Sequence, residues 1–171
     1  MADAPLHMQP IVREKRSRHR ADWGAVWGGV FTFAAIWIVF ECLALAIFGI
    51  THLGVGLAVW TIVLTIIAMY VAGLETARLA GVTTQGDGMA HGLMMFGLAV
   101  VSTTVLMVLS NPGLNGASAR DFLATGISSG MAWSAFLALF LGGLAAMGGA
   151  STASAQKSAT LKPAAPVRPA A

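Results

Sequence analysis

The chain has 171 residues, enough for one modest domain, but 57% are hydrophobic and only 10% charged, with a mean hydropathy of +0.77. Such a composition excludes an ordinary water-soluble domain, so the solvent for most of the chain is lipid. The single cysteine, Cys42, excludes an intramolecular disulfide framework, and the formal charge of +3 is no nucleic-acid signal, because half of the Lys and Arg residues crowd into one short stretch before the first apolar run.

Residues 1–22 read as a basic N-terminal tail. Its Arg13, Lys15, Arg16, Arg18 and Arg20 suit anionic lipid headgroups, each cation near such a surface contributing about 1 kcal/mol. The apolar run over 23–50 exceeds the roughly 7 to 15 residues of a signal-peptide core, and no small-x-small cleavage site precedes a soluble domain, so it reads as an uncleaved span. Apolar windows of about 20 residues predict three more spans over 56–80, 88–110 and 127–150. Between them lie turn residues: Thr51-His52-Leu53-Gly54, then Gly81 to Asp87, then a longer loop opening with Asn111-Pro112-Gly113. Asp87 is the expected N-cap of the third helix, and Ser118 to Leu123 has the spacing of a capping box for a short surface helix. The segment 151–171 is rich in Ala, Ser and Pro with no large apolar residue beyond Leu161 and Val167, and reads as a disordered tail.

The expected fold class is therefore all-α: a polytopic membrane protein whose transmembrane domain, residues 23–150, is a four-helix bundle. Its orientation follows from the cations. Five precede the first span, Arg78 borders the second loop, and Lys157, Lys162 and Arg168 follow the last span, while the first loop has none and the third only Arg120. Both termini are thus expected on the cytoplasmic side. Trp23 and Trp27 fall at the inner interface and Trp60 and Trp133 near the outer one, with Trp37 as the exception.

The chain also carries a weak internal repeat, two similar helical hairpins. Gly24 and Gly28 open the first helix as Gly88 and Gly92 open the third. Ala68, Ala72, Gly73 and Ala77 end the second helix as Gly142, Gly143, Ala146 and Gly149 end the fourth. Helices in lipid associate by close backbone approach, so these small-residue stripes mark the expected contacts, and a bundle pinched at its inner end follows.

Several of these pieces, Trp23-Gly24-Ala25, Tyr70-Val71-Ala72-Gly73, Arg78-Leu79-Ala80-Gly81, Asp87-Gly88 and His91-Gly92-Leu93, resemble a broad group of small, uncharacterised bacterial four-helix membrane proteins. The resemblance covers roughly the first two thirds of the chain. An extra helical turn, Leu74-Glu75-Thr76-Ala77, departs from the group's pattern. What the resemblance implies is a fold and an address, the bacterial inner membrane, and no activity.

Glu41 is the one ionisable residue well inside a span, where a charged acid costs about 2.5 to 3.5 kcal/mol. Thr65, Thr103, Thr104 and Ser134 fall near its depth and define a candidate intramembrane polar site. Such a site either binds a proton or cation or holds a neutral, hydrogen-bonded carboxyl that serves packing. At the inner loop, Glu75, Arg78, Asp87 and His91 form a second candidate group, a gate or ligand site on one reading and an interfacial charge network on the other. His91 with Met94 and Met95 has soft copper-binding chemistry, and His91 alone that of a haem ligand. Adjacent methionines, however, point about 100° apart on a helix and more often fill a core. No metal and no cofactor is expected.

No Gly-x-Ser-x-Gly, His-Glu-x-x-His, Cys-x-x-Cys or phosphate loop occurs, so an enzyme is not expected. Two functions remain. One is a non-catalytic protein that works by packing, as an accessory or scaffold subunit of a membrane complex or as a homo-oligomer. Its partners are then membrane lipids and other membrane subunits or its own copies, and no nucleic acid. The other is a small ion or solute permease with a proton- or cation-binding site at Glu41.

Overall fold

The computed structural model describes residues 21–48, 55–110 and 129–161, and nearly all of them are helical. Four helices run Trp23–Phe48 (α1), Val55–Ala80 (α2), Gln85–Ser110 (α3) and Ser129–Thr160 (α4). The short helix expected at Ser118 to Leu123, the basic segment before residue 21 and the chain beyond 161 lie outside the described residues. Each helix is long and apolar enough to cross a membrane. At 1.5 Å per residue the 26 residues of α1, α2 or α3 reach about 39 Å and the 32 of α4 about 48 Å, against a hydrocarbon core of about 30 Å.

Local chemistry sets the helix ends. Asp22 caps α1, its Oδ1 accepting the Ala25 N–H at 3.2 Å while its carbonyl accepts the first helical bond from Val26. Gly81 stops α2 with φ +67°, the left-handed conformation that glycine adopts without a Cβ penalty. Thr84, rather than Asp87, caps α3. The Asp87 N–H reaches Thr84 Oγ1 at 3.3 Å and the Thr84 hydroxyl returns a bond to Asp87 Oδ2 at 2.6 Å, so Asp87 is the third helical residue and the helix opens three residues earlier than expected.

The disordered tail expected from residue 151 does not begin there, because α4 continues to Thr160. Ala, Ser, Gln and Lys tolerate a helix, and the first proline after residue 150 is Pro163. Burial supports the extension too. Ala150 and Ala153 pack with Ala77 in a small cluster flanked by Leu74 and Val82, and Ser154 is fully buried.

α1 packs mainly on α2, α2 on α4 and α4 on α3, with lesser contacts of α3 to α1 and α2. The broadest interface is that between α2 and α4, which run parallel. Gly142 lies beside Thr65 and Met69, Ala146 beside Gly73, and Lys157 beside Gly81, so residue numbers rise together along both helices. Opposed numbering, Glu41 with Thr61 and Gly29 with Thr76, makes α1 and α2 antiparallel, and Gly88 with Ala150 does the same for α3 and α4.

The core sits toward the end that carries the α2–α3 loop. Val26, Val30, Met69, Ala72, Met95, Ala99 and Ala146 form it, with Phe33, Phe96, Leu98 and Ala145 against them. Toward the far end the helices separate. Val101, Thr103, Thr104, Val105 and Leu106 of α3 are all exposed, positions that cover every side of a helix.

Candidate functional site

Glu41 lies on α1 toward the far end, half-buried, and its Oε1 accepts a hydrogen bond from the Thr61 hydroxyl of α2 at 3.1 Å. Thr61, not Thr65, is therefore its partner. Thr65 sits one turn further along and donates to the Thr61 carbonyl at 2.7 Å. Thr103 and Thr104 are exposed and donate to their own helix, at the carbonyls of Ala99 and Val100. Ser134 is half-buried on α4. At Glu41 itself the helices are joined through Thr61, across the α1–α2 contact.

The same habit holds elsewhere on α1, α2 and α3. Thr32, Thr76 and Ser110 each donate to the carbonyl four residues back. A hydroxyl turned onto its own backbone is satisfied without a partner helix. These groups therefore form no continuous polar line, and the bundle axis at the loop end is filled by Val26, Met69, Met95 and Ala146.

The loop-end group divides in two. Glu75 and Arg78 face each other on α2, Nη1 to Oε1 at 2.8 Å, with both side chains well exposed. Such a surface pair contributes little, about 0 to 1 kcal/mol. His91 belongs elsewhere. It is buried, its Nδ1 lies 2.8 Å from the Asp87 carbonyl, and its Nε2 accepts the backbone N–H of Asp22 at 3.3 Å, tying the start of α1 to α3. Asp87 meets His91 through its main chain, while its carboxylate serves the Thr84 cap.

Two residues that sequence reading left in the tail close this end. Lys157 Nζ donates to the Gly81 carbonyl at 2.7 Å, and the Ser158 hydroxyl bonds the Thr83 carbonyl, so the last turns of α4 clamp the α2–α3 loop. Nearby, the Tyr70 and Thr152 hydroxyls share a bond at 3.2 Å. Asp22 was legible as a capping residue directly before an apolar run. Its bond to His91 was not, because nothing in local pattern aligns α1 with α3.

The geometry also bears on metal and haem readings of His91. Both ring nitrogens are engaged within the bundle. Met95 lies in the core while Met94 is exposed, so the two thioethers diverge.

The packing glycines sort by what a side chain would meet. A Cβ at Gly73 would collide with the Ala146 carbonyl, and one at Gly149 with the Tyr70 carbonyl, so α2 and α4 touch backbone to backbone. Gly88 and Gly92 behave as expected, a Cβ there falling 2.8 Å from the Ala150 oxygen and 2.6 Å from the Ala146 oxygen. Gly29, overlooked in the stripe, lies against Thr76 Oγ1 of α2. Four expected contacts are weaker. Gly24 is exposed and near only Asp22, a Cβ at Gly28 would meet just the flexible Leu79 tip at 2.7 Å, one at Gly142 would have ordinary contacts with Thr65, Met69 and Phe96 at 3.5 to 3.9 Å, and one at Gly143 would press on the Phe96 ring from 3.3 Å. The lipid-headgroup residues Arg13, Lys15, Arg16, Arg18 and Arg20 lie outside the described residues. Among known proteins, no family model, no curated protein and no solved structure matches the chain.

Proposed function

We propose that the chain is a non-catalytic, four-span protein of a bacterial inner membrane that works by packing, as an accessory or scaffold subunit of a larger complex or as a homo-oligomer. On this reading the loop end faces the cytoplasm with both termini, and the basic segment at 13–20 rests on anionic headgroups. The bacterial address rests on the resemblance in the glycine-rich pieces, and the two-hairpin plan on the repeat of small residues. The observation that carries the reading is the closed loop end. Among the described residues, backbone contact at Gly73, Gly149 and Gly92 and the apolar cluster of Val26, Met69, Met95 and Ala146 fill the loop end, while large apolar residues cover the outside. A rigid bundle with an apolar exterior suits contact with lipid and with other spans.

The permease reading draws on Glu41 alone. Residues 23 to 41 of α1 climb about 27 Å and seven further apolar residues, about 10 Å, follow, which puts the carboxyl in the outer half of the span. Its bond to Thr61 gives it a packing role. Mass analysis of the native protein, extracted from its own membrane in mild detergent, tests the proposal. The expected result is stable co-purification with larger membrane proteins or a discrete homo-oligomer. A monomer that conducts ions or protons in vesicles would overturn it.

A further inference from the structure

His91 is the buried titratable group that neither reading uses. Its two hydrogen bonds assign its chemical state. The Asp87 carbonyl can only accept, so Nδ1 carries a proton, and the Asp22 N–H can only donate, so Nε2 presents a lone pair. The neutral imidazole with hydrogen on Nδ1 is the one form that satisfies both partners.

We propose that His91 is a proton-sensitive latch that holds the entry of α1 against α3 at the loop end of the bundle. A proton taken from solvent onto Nε2 turns the acceptor into a donor that faces the Asp22 N–H, and the latch opens. Protonation of the ring is the switching event, so the latch is closed while the imidazole is neutral and open once Nε2 carries a proton. The charged groups at this end come from every helix. α1 brings the Asp22 carboxylate, bonded to the Ala25 N–H; α2 brings Glu75 and Arg78, bonded to each other; α3 brings Asp87, bonded to Thr84; and α4 brings Lys157, held on the Gly81 carbonyl. Each therefore has a bond of its own. The residue that is released lies two positions after Arg20, the last cation of the basic segment, so opening loosens the entry of α1 beside that segment. Gly81, Lys157 and the α2–α4 contact are untouched, and the remaining bundle stays assembled.

Nuclear magnetic resonance on the labelled full chain in detergent micelles tests this. Two-bond nitrogen–proton correlations identify the protonated ring nitrogen at about pH 8, and amide exchange at Asp22 and Met95, corrected for intrinsic rates, is followed down to about pH 5. The expected result is the Nδ1–H form with a protected Asp22 amide. That protection then falls about tenfold, the equivalent of one hydrogen bond, as the ring gains charge, while Met95 stays protected. His91→Phe keeps the ring volume and should leave the Asp22 amide unprotected at every pH. An Nε2–H form at pH 8, unchanged Asp22 protection on acidification, joint loss of Asp22 and Met95, or a protected Asp22 amide in His91→Phe would each overturn the proposal.

Discussion

The two ends of this bundle obey different rules. At the loop end the helices meet through glycine and alanine, with carbonyl oxygens where side chains would be, and hydrogen bonds accepted by His91 and donated by Lys157 and Ser158 cross between elements. At the far end the residues are larger and touch less. Trp133 meets Phe136 edge-on and Phe136 stacks on Phe140 along the outside of α4, ring centroids 5.9 and 6.1 Å apart, and Val101 and Thr103 to Leu106 of α3 are exposed. In water the bulky end would be the better core. For helices placed in lipid, as we propose, burying Leu or Phe against another helix gains little over burying it in acyl chains, and close backbone approach would decide where the helices hold together.

Adding a single carbon tests that rule most severely. Gly73→Ala improves helix propensity by about 1 kcal/mol, yet its Cβ falls onto the Ala146 carbonyl, backbone that cannot turn aside. We expect net destabilisation of about 2 to 3 kcal/mol, read by thermal or denaturant unfolding in detergent. Gly97→Ala provides the contrast, since Gly97 has open space around it, and it should be neutral or stabilising by up to about 1 kcal/mol. Equal effects of the two substitutions would mean that the α2–α4 contact is not what holds the bundle.

Gly92→Leu comes next. Its side chain points at the Ala146 oxygen and the Ala150 methyl group, and overpacking of this kind costs about 1 to 3 kcal/mol. Gly28→Leu should cost less than about 1 kcal/mol, because the Leu79 tip that it meets can rotate away. Both changes stand in a small-residue stripe near the start of a helix. If they destabilise equally, the difference between a backbone neighbour and a flexible one is not the deciding quantity.

That contrast also marks how far the sequence could be read. Four apolar runs separated by turn residues give four helices in nearly their expected places, because hydrophobic length and Gly81-type stops are local properties. The pinched loop end followed as well, since small residues gather there. Which glycine faces a neighbour did not follow. Gly92 and Gly97 look alike in the sequence, but five residues turn a helix by about 140°, and only helix arrangement shows that one meets α4 and the other open space. The same holds for Glu41. Depth counted from helix ends selected Thr65, whereas the α1–α2 register places Thr61 opposite it. The end of α4 failed for another reason. Composition suggested a tail, but Ala150, Ala153 and Ser154 find buried places beside α2 and α3 that only tertiary packing supplies.

The smallest expected effect belongs to the far end, at Glu41. Glu41→Gln keeps the side-chain length and an oxygen that can still accept the Thr61 hydroxyl, so the α1–α2 contact survives whether the carboxyl carried a proton or not. Interhelical hydrogen bonds in membranes average about 0.6 kcal/mol, and since this one is preserved, unfolding in detergent should shift by less than about 0.5 kcal/mol. Thr61→Val removes the donor and should cost about that average. The pair separates packing from transport, because a packing role depends on the bond and tolerates glutamine, whereas proton or cation binding depends on the acid and does not. Glu41→Gln with unchanged stability and assembly, beside a small loss in Thr61→Val, makes the far end an ordinary helix contact. An unchanged fold with abolished proton-coupled flux in vesicles would instead make the loosely packed end the working part of the protein and the pinched loop end its frame.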